Sequence, residues 1–363
     1  MEKLVEVRTA TRALALLALA FSLPQVAVGA EDDAATDVGP LFVNQETLKV
    51  RIEAPLTTLM RERSDTEYLN GTLAYTDASG GEHLLDLKLR ARGKYRLQRK
   101  TCDVPPIRLN FRKKQAMGTE FAGQDKLKLV THCEKRGTRY EQNTLKEYLA
   151  YKFLNAMTPF SFRVRLLHVD YVDSDRDGET DTRYAFLIED DDLLAERIGA
   201  EPVKVPRLGY DQLDGRYANL VSVFQFMIGN TDFSMVVGAK DDNCCHNTVP
   251  FAGNPDGYVV IPYDFDFSGL VNATYAEPNP KLPITRVVQR LYRGLCVYND
   301  HLDETLQQFR ENEGVFREIV SSLDGLDDKT RAGALKYIDG FYRVIGDESS
   351  VQRYLVRKCL SAE

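Results

Sequence analysis

Five short segments in the first 130 residues have the alternating pattern of β-strands, and they limit the fold more than any other feature. TLKVRIEAP, LNGTLAYTD and LLDLKLRARG alternate apolar and polar residues, with Asn-Gly and Ser-Gly-Gly turns between them, and VPPIRLNF and KLKLV are typical of two more strands. Because successive residues of a strand point to opposite faces, this alternation indicates strands with one buried face. We therefore predict a β-rich region that begins at Leu41.

Helical spacing replaces the strand pattern in TLKEYLAYKFLNAM, where Leu145, Leu149 and Phe153 recur at helical intervals and Pro159 is expected to end the helix. FRVRLLHVDYV and TRYAFLIED then predict a hairpin, and YANLVSVFQFMIGN predicts a second apolar helix. Two short strands are expected around NTVPF and YVVIP. From Ile284 onward, VVQRLY, LDETLQQF, VFREIVSSL and GALKYIDGFY predict helices, so we expect an α+β fold.

The first thirty residues have the pattern of a secretory signal peptide. Arg8 and Arg12 precede the apolar run ALALLALAFSL, small residues follow, and cleavage is expected after Ala30. Residues 31–40 are interpreted as a polar linker. No later segment is long and apolar enough to suggest a membrane span. We therefore expect an exported protein, either secreted or held in the periplasm or another extracytoplasmic space.

The charge balance argues against one class of partner. The chain carries a formal net charge of −7 at pH 7, whereas nucleic-acid binding calls for a basic surface. We therefore expect no nucleic-acid partner.

The six cysteines form an even set, which in an exported protein favours disulfide bonds. The pairs Cys102–Cys133 and Cys296–Cys359 are plausible because the members of each pair lie in one region of the chain. The alternative is a zinc site, whose ligands would be Cys244, Cys245, His246 and His132.

Polar residues follow the second apolar helix and the two short strands after it. Asp232 lies in GNTDFS, Asn247 in HNTVPF, and Asp264 in PYDFDF. Asp266 shares a strand face with Asp264, so one of these two carboxylates should take up a proton unless a cation lies between them. A carboxylate that orients an acceptor hydroxyl, with an amide and a second carboxylate that hold Mg²⁺, is a workable set for phosphoryl transfer.

The order of these motifs resembles the spore-coat protein H (CotH) family of atypical secreted protein kinases. The similarity covers roughly residues 90–300, and GNTDFS followed by PYDFDF is its most specific part. The resemblance implies a two-lobed kinase-like fold, with a β-rich N-terminal lobe over 41–190 that contains one helix and a mainly helical C-terminal lobe over 191–363 that carries the catalytic and metal loops. It also implies that Asp232 is the catalytic aspartate, that Asn247 and Asp264 bind metal, and that Asp266 is a second ligand or a structural partner.

The same resemblance suggests where a nucleotide would bind. RARGKYRLQRK is similar to the Arg-Gly loop of the family, which would cover the phosphates. The strand cation that contacts the nucleotide would be Arg108, with Lys128 as a rival, and the carboxylate that pairs with it would be Glu147 or Glu141. The expected nucleotide-binding residues are therefore Arg92, Gly93, Lys94, Arg108, Lys128, Glu147 and, at the adenine hinge, Glu189.

These motifs lead to the hypothesis of an exported protein kinase. It would transfer phosphate from ATP, with Mg²⁺ or Mn²⁺, to hydroxyl groups of envelope or surface proteins. Because a glycine-rich loop and a strand lysine are missing at the expected positions, the alternative is a catalytically inactive nucleotide-binding or surface-binding scaffold.

The acidic segment DSDRDGETD is a further metal candidate. Asp173, Asp175, Asp177 and Gly178 match the first positions of a calcium loop, but position twelve is Tyr184 rather than glutamate. The segment is therefore either a Ca²⁺ site or a solvated hairpin tip.

Overall fold

The computed structural model describes residues 40–239 and 242–361. The predicted signal peptide, residues 1–30, and the predicted linker up to residue 39 lie outside these ranges. The described chain from residue 40 to residue 361 falls within one compact unit.

Seven strands close into a barrel with the order β1-β2-β3-β4-β5-β7-β6. Neighbouring strands are antiparallel except β6 and β1, which pair in parallel from Leu48 opposite Leu167 to Ala54 opposite Asp173. The strands are β1 (Leu48–Ala54), β2 (Leu69–Thr76), β3 (Glu82–Ala91), β4 (Ile107–Phe111), β5 (Lys126–Val130), β6 (Val164–Asp173) and β7 (Glu179–Ile188).

The prediction of a two-lobed kinase-like fold is wrong, although the α+β class is confirmed. The strand-rich half is a closed barrel rather than a kinase lobe, because β6 returns to pair with β1 and joins the two ends of the sheet. The alternating pattern identified the strands but carried no information about this long-range pairing.

One face of every barrel strand is apolar and points inward. Leu73, Leu89, Leu109, Leu127 and Leu167 are fully buried in this interior core. Three short helices accompany the barrel: α1 (Pro40–Val43) precedes β1, α2 (Leu56–Glu62) connects β1 to β2, and α3 (Lys113–Ala116) connects β4 to β5.

A second hydrophobic core lies outside the barrel, between its outer face and the helices. The long helix α4 (Arg139–Met157) lies between the barrel and the helices, because Tyr148 packs edge-on against Phe186 of β7 while Phe153 packs against Phe316 of α8 (Glu313–Ser322). The remaining helices are α5 (Asp191–Ile198), α6 (Gly215–Ile228), α7 (Leu302–Glu311), α8 (Glu313–Ser322), α9 (Asp328–Ile345) and α10 (Glu348–Tyr354), with 3₁₀ turns at Tyr210–Gln212, Cys296–His301 and Val356–Lys358.

A small second sheet has the order β10-β9-β8. Its strands are β8 (Glu201–Pro202), β9 (Thr248–Ala252) and β10 (Val259–Pro262). Pro262 pairs with Thr248, so the start of β9 and the end of β10 lie side by side.

The helix predicted at VVQRLY is wrong, whereas the other predicted helices and the hairpin are present. Residues 284–295 form turns and extended chain. Arg290 lies in this segment and donates to the backbone carbonyls of Met227 and Tyr337, and its guanidinium stacks 3.9 Å from the ring of Tyr337. These tertiary contacts outweigh the weak local preference for a helix.

The cysteines are paired as Cys102–Cys133, Cys244–Cys245 and Cys296–Cys359. The two predicted pairs are therefore confirmed, and the zinc alternative is wrong because Cys244 and Cys245 are joined to each other. Such pairs are compatible with an extracytoplasmic location. Within residues 40–239 and 242–361, no helix is both long and apolar enough to cross a membrane.

We expect Gly229→Ala to destabilise the fold. Gly229 ends α6 at φ 66°, a conformation that costs other residues about 1–2 kcal/mol, and an added Cβ would collide with the hydroxyl of Tyr337. The expected loss is about 2–4 kcal/mol in the free energy of unfolding, measured by chemical denaturation.

Gly333→Ala is the matched control. Gly333 lies inside α9 with open space around its Cα, so alanine should raise the stability by about 0.5–1 kcal/mol. Equal effects of the two substitutions would contradict the assignment of Gly229 as a strained helix end.

His132, just after β5, should make stability depend on pH. The ring is 4% exposed, and burial, with the charges of Arg183 and Arg96, lowers its pKa to about 3. Asp181 lies 3.6 Å from Nε2 but is half exposed and bonded to Arg183, so it does not reverse this shift.

Between pH 6.5 and 3 the unfolded chain therefore binds a proton at His132 that the folded chain does not bind. Stability should fall as the pH drops through this window, by up to about 1.4 kcal/mol per pH unit. Unfolding free energies at pH 7, 6 and 5 should show this slope, and His132→Gln should reduce it. A ring proton resonance of His132 that titrates near pH 6.5 would contradict the expectation.

Candidate functional site

Two residues of the predicted site meet at one end of the small sheet. Asn247 immediately precedes β9, and Asp264 follows β10 by two residues. Since these strands are antiparallel, both residues lie at the same end, and the N–H of Tyr263 donates to the carbonyl of Asn247 at 3.0 Å.

Asp232 lies on the loop after α6 and joins the same cluster. The N–H of Asp232 donates to Oδ1 of Asn230 at 2.9 Å, and Ser234 and His246 exchange backbone hydrogen bonds of 3.0 and 3.2 Å. Nδ2 of Asn247 then reaches the Asp232 carboxylate at 3.0 Å and its carbonyl at 2.8 Å. The predicted catalytic aspartate and the predicted metal-ligand asparagine are therefore in direct contact.

His246 is a partner of Asp232 that was not predicted from the sequence. Its Nε2 lies 2.8 Å from Oδ1 of Asp232, and this hydrogen bond raises the pKa of His246. Both side chains are more than a third exposed. The available signal was the position of His246 next to Asn247, but the only role predicted for His246 was that of a zinc ligand.

The backbone at the two candidate metal ligands is left-handed. Asn247 has φ 52° and Asp264 has φ 62°, values that are uncommon outside glycine. The N–H of Asp264 donates to the hydroxyl of Tyr151 on α4 at 2.9 Å, which holds this turn against the helix. Such outliers are frequent at functional sites, where the surrounding structure enforces them.

Two further carboxylates lie behind Asp264 in the interior. Glu147 on α4 is 3% exposed and Asp266 is 4% exposed, whereas Asp264 is exposed. Burial raises the pKa of Asp266 to about 7, and the charge of Asp264 adds to the shift. Burial, Asp266 and Asp264 likewise hold the pKa of Glu147 well above its usual range. The repulsion inferred between Asp264 and Asp266 is thus present, and it extends to Glu147.

Arginines of the loop after β3 face this acidic cluster. The charge of Asp264 acts on Arg92, and the charges of Asp266 and Glu147 act on Arg96. The Nε atoms of Arg92 and Arg96 are buried, and neither has a hydrogen-bond partner among the described residues. Arg92, one of the predicted nucleotide-binding residues, therefore lies at this cluster, and Arg96, which was not singled out, lies beside it.

The next three residues of this loop lie in solvent or contact other parts of the chain. Gly93 is exposed at φ 92°, and Lys94 pairs with Asp242 at 2.8 Å. Tyr95 packs against Phe267 and donates its hydroxyl hydrogen to the carbonyl of Tyr275.

Arg108 and Lys128 are neighbours on adjacent strands of the outer barrel face. Arg108 lies 3.8 Å from Asp190 and Lys128 lies 2.7 Å from Asp191, both at the start of α5. Neither of these cations forms an ion pair with Glu147 in the part of the chain that the structure describes. The positive charges that act on Glu147 are instead those of Arg96 and Arg92.

Glu141, the alternative to Glu147, does not belong to the site. Its Oε1 accepts a hydrogen bond of 2.6 Å from the N–H of Tyr184 on β7. Glu147 is thus the carboxylate of α4 that faces Asp264 and Asp266.

Glu189, which was predicted to contact adenine, forms a buried ion pair with Arg197. Its two oxygens accept hydrogen bonds from Nε and Nη2 of Arg197 at 2.9 and 2.8 Å, and Glu189 is 2% exposed. The N–H of Arg163 also donates to this carboxylate at 3.0 Å. The side chain therefore joins β7 to α5.

The carboxylates of the calcium-like segment cap a helix. Asp173 accepts hydrogen bonds from the N–H and the hydroxyl of Thr57, and Asp175 accepts one from the N–H of Thr58, at the first turn of α2. Asp177 lies at φ 52° in the exposed turn. These contacts give the segment a structural role without a cation.

No family model matches the chain, and no curated protein matches it significantly. Among residues 40–239 and 242–361, no three or more His, Cys, Asp or Glu side chains form a group that could hold a metal ion by themselves.

The arrangement offers a carboxylate that is held on both oxygens, an exposed second carboxylate, and two arginines beside buried acids. Its oxygen donors are of the kind that Mg²⁺ prefers, and Mg²⁺ is commonly bound by one or two carboxylates together with substrate phosphates.

We expect Glu189→Gln to lower the free energy of unfolding by about 3 kcal/mol, because it leaves Arg197 buried without its counter-charge. Glu313→Gln, which removes the exposed pair with Arg317, should cost no more than about 1 kcal/mol. Urea denaturation of both variants measures the difference. If Glu189→Gln lowers the free energy of unfolding as little as Glu313→Gln does, the buried ion pair does not have the structural role that we assign to it.

Proposed function

We propose that this protein is an exported phosphotransferase that moves the γ-phosphoryl group of ATP to hydroxyl groups of envelope or surface proteins. The observation that carries the proposal is the meeting of Asp232, Asn247 and Asp264 at one end of the small sheet. The proposal rests on this site and does not require a kinase fold, since a site and its chemistry can occur on unrelated folds.

Asp232 is the residue that orients the acceptor hydroxyl and accepts its proton. His246 bonds to one oxygen of its carboxylate and Asn247 bonds to the other, so the group is held in one orientation. A positioned general base of this kind contributes about 10²–10⁴-fold to the rate.

Asn247 and Asp264 would hold Mg²⁺ or Mn²⁺, with Asp266 behind them. Nδ2 of Asn247 points to Asp232, and among the described residues the Asp264 carboxylate forms no ion pair. Bound with a nucleotide, the ion supplies positive charge beside the phosphate oxygens.

Arg92 and Arg96 would bind the phosphates from the other side. Their guanidinium groups are partly buried next to the acidic cluster, and arginine suits the planar recognition of phosphate. The motifs GNTDFS and PYDFDF resemble those of the CotH kinases, and this resemblance supports the roles proposed for Asp232 and Asp264.

A second candidate is a non-catalytic, nucleotide-binding or surface-binding scaffold. Two ion pairs favour this candidate over an active kinase. Glu189 is paired with Arg197, and Lys128 is paired with Asp191. Two contacts expected for a nucleotide are thus satisfied within the protein.

Substitution of the two aspartates should separate binding from transfer. Asp264→Asn should abolish the rise in melting temperature that ATP with Mn²⁺ produces, because it removes a carboxylate ligand. Asp232→Asn should keep that rise and lower phosphate transfer at least 100-fold, read by intact mass after incubation with ATP.

Asp256→Asn is the control, since Asp256 is exposed in the turn at the opposite end of the β9–β10 ladder. It should leave both measurements unchanged. Nucleotide binding without transfer in the wild type would support the nucleotide-binding scaffold. No nucleotide binding at all would refute the phosphotransferase and the nucleotide-binding scaffold, and would leave the surface-binding scaffold.

A further inference from the structure

A cavity of about 470 Å³ lies at the end of the barrel that α2 covers. Part of its wall is apolar, and none of its lining residues belongs to the proposed phosphotransfer site. Its volume is within the range of small-molecule sites. The apolar lining residues are Leu56, Leu59, Met60, Val104 and Ile107.

Two polar side chains in this wall are buried without hydrogen-bond partners. His132 is 4% exposed and Tyr171 is 6% exposed, and their ring centroids are 5.8 Å apart in an edge-on arrangement. Nδ1 of His132 and the hydroxyl of Tyr171 have no partner among the described residues. Buried polar atoms are nearly always hydrogen-bonded, so a pair of them in one cavity wall calls for an explanation.

The hydrogen-bonding capacity of His132 and Tyr171 indicates which group of a ligand could bind to them. Burial lowers the pKa of His132, so the ring is neutral at pH 7, and Nε2 faces the carboxylate of Asp181. With its hydrogen on Nε2, the ring offers Nδ1 as an acceptor. The hydroxyl of Tyr171 can donate or accept, so a ligand hydroxyl could donate to His132 and accept from Tyr171.

The cavity lining contains three basic and three acidic side chains, so its formal charge is balanced. Each acidic side chain in the lining already has a partner. The pairs are Asp173 with Thr57, Glu179 with Arg176, and Asp181 with Arg183.

Lys135 and Arg136 also line the cavity and are exposed. Neither forms an ion pair with the residues that the structure describes. The rim thus presents two cations that are available to an anionic group.

We propose that this cavity binds a small hydroxyaryl carboxylic acid. The aromatic ring packs against the apolar wall, the phenolic hydroxyl meets His132 and Tyr171, and the carboxylate lies at Lys135 and Arg136. This site is separate from the proposed phosphotransfer site and does not depend on it.

Three matched compounds test the two polar contacts separately. The full chain is titrated with 3-(4-hydroxyphenyl)propionate, with 3-phenylpropionate, which lacks the hydroxyl, and with 3-(4-hydroxyphenyl)propionamide, which lacks the charge. Methyl-labelled methionine reports the location by NMR, because Met60 lines the cavity while Met117 is 71% exposed elsewhere and serves as an internal reference.

The hydroxyaryl carboxylate is expected to shift the Met60 signal and to bind at least fivefold more tightly than either analogue. Tyr171→Phe should remove the preference for the hydroxyl while leaving the preference for the charge. The double variant Lys135→Ala/Arg136→Ala should do the reverse. Because Tyr171→Phe removes a hydroxyl without a partner, its melting temperature without ligand should be unchanged or higher.

Three results would overturn the proposal. They are no binding of the hydroxyaryl carboxylate at millimolar concentration, equal affinity for all three compounds, and a shift of other methionine signals without a shift of Met60. A lower melting temperature for Tyr171→Phe would also count against it, since it would give the hydroxyl a structural partner.

Discussion

The parallel pairing of β1 with β6 is the constraint on which the rest of the molecule depends. It spans seven residue pairs and closes a sheet that would otherwise have two free edges. Closure directs one face of each strand into the interior core and leaves the outer face of β7 for α4. The helix that carries Glu147 and Tyr151 is thereby held between the barrel and the helical half, which places Glu147 behind the turn at Asp264.

The candidate site contains carboxylates that are buried and that repel one another, and both effects lower the stability of the fold. Three carboxylates, Glu147, Asp264 and Asp266, lie close together, and two of them are nearly inaccessible. Arg92 and Arg96 offset part of this cost, and the raised pKa values of Glu147 and Asp266 show that the offset is incomplete. Apolar residues at such positions would favour stability more, and buried acids with perturbed pKa values that lie together are candidates for a functional role.

Local features were predictable from the sequence, whereas long-range pairings were not. The strands of the barrel, the hairpin, α4 and α6 follow from residue periodicity, and Gly229 ends α6 in a left-handed conformation that glycine adopts readily. The closure of the barrel could not be predicted, because alternation identifies a strand but not its partner.

The candidate site divides in the same way. Asp232, Asn247 and Asp264 lie next to α6, β9 and β10, which are consecutive in the chain. Because these elements also pack together, the order of the motifs was enough to predict that the three residues lie close to one another. Glu189 and Lys128 instead form ion pairs with Arg197 and Asp191 of α5. Sequence spacing does not specify those contacts. The arginine that was missed, Arg96, sits four residues after Arg92, and its role is visible only from the acids that it faces.

The loop between β3 and β4 is held by contacts on three sides, which bears on how it could bind phosphate. Arg63, just after α2, donates to the carbonyls of Leu97 and Cys102, while Arg96 donates to the carbonyl of Thr131. Tyr95 packs against Phe267 on the third side. A loop that is already fixed does not lose conformational freedom when a ligand binds, so its arginines are preorganised. The same helix α2 covers the barrel cavity, and Thr131 precedes His132 in its wall, so both candidate sites rest on one shared set of contacts.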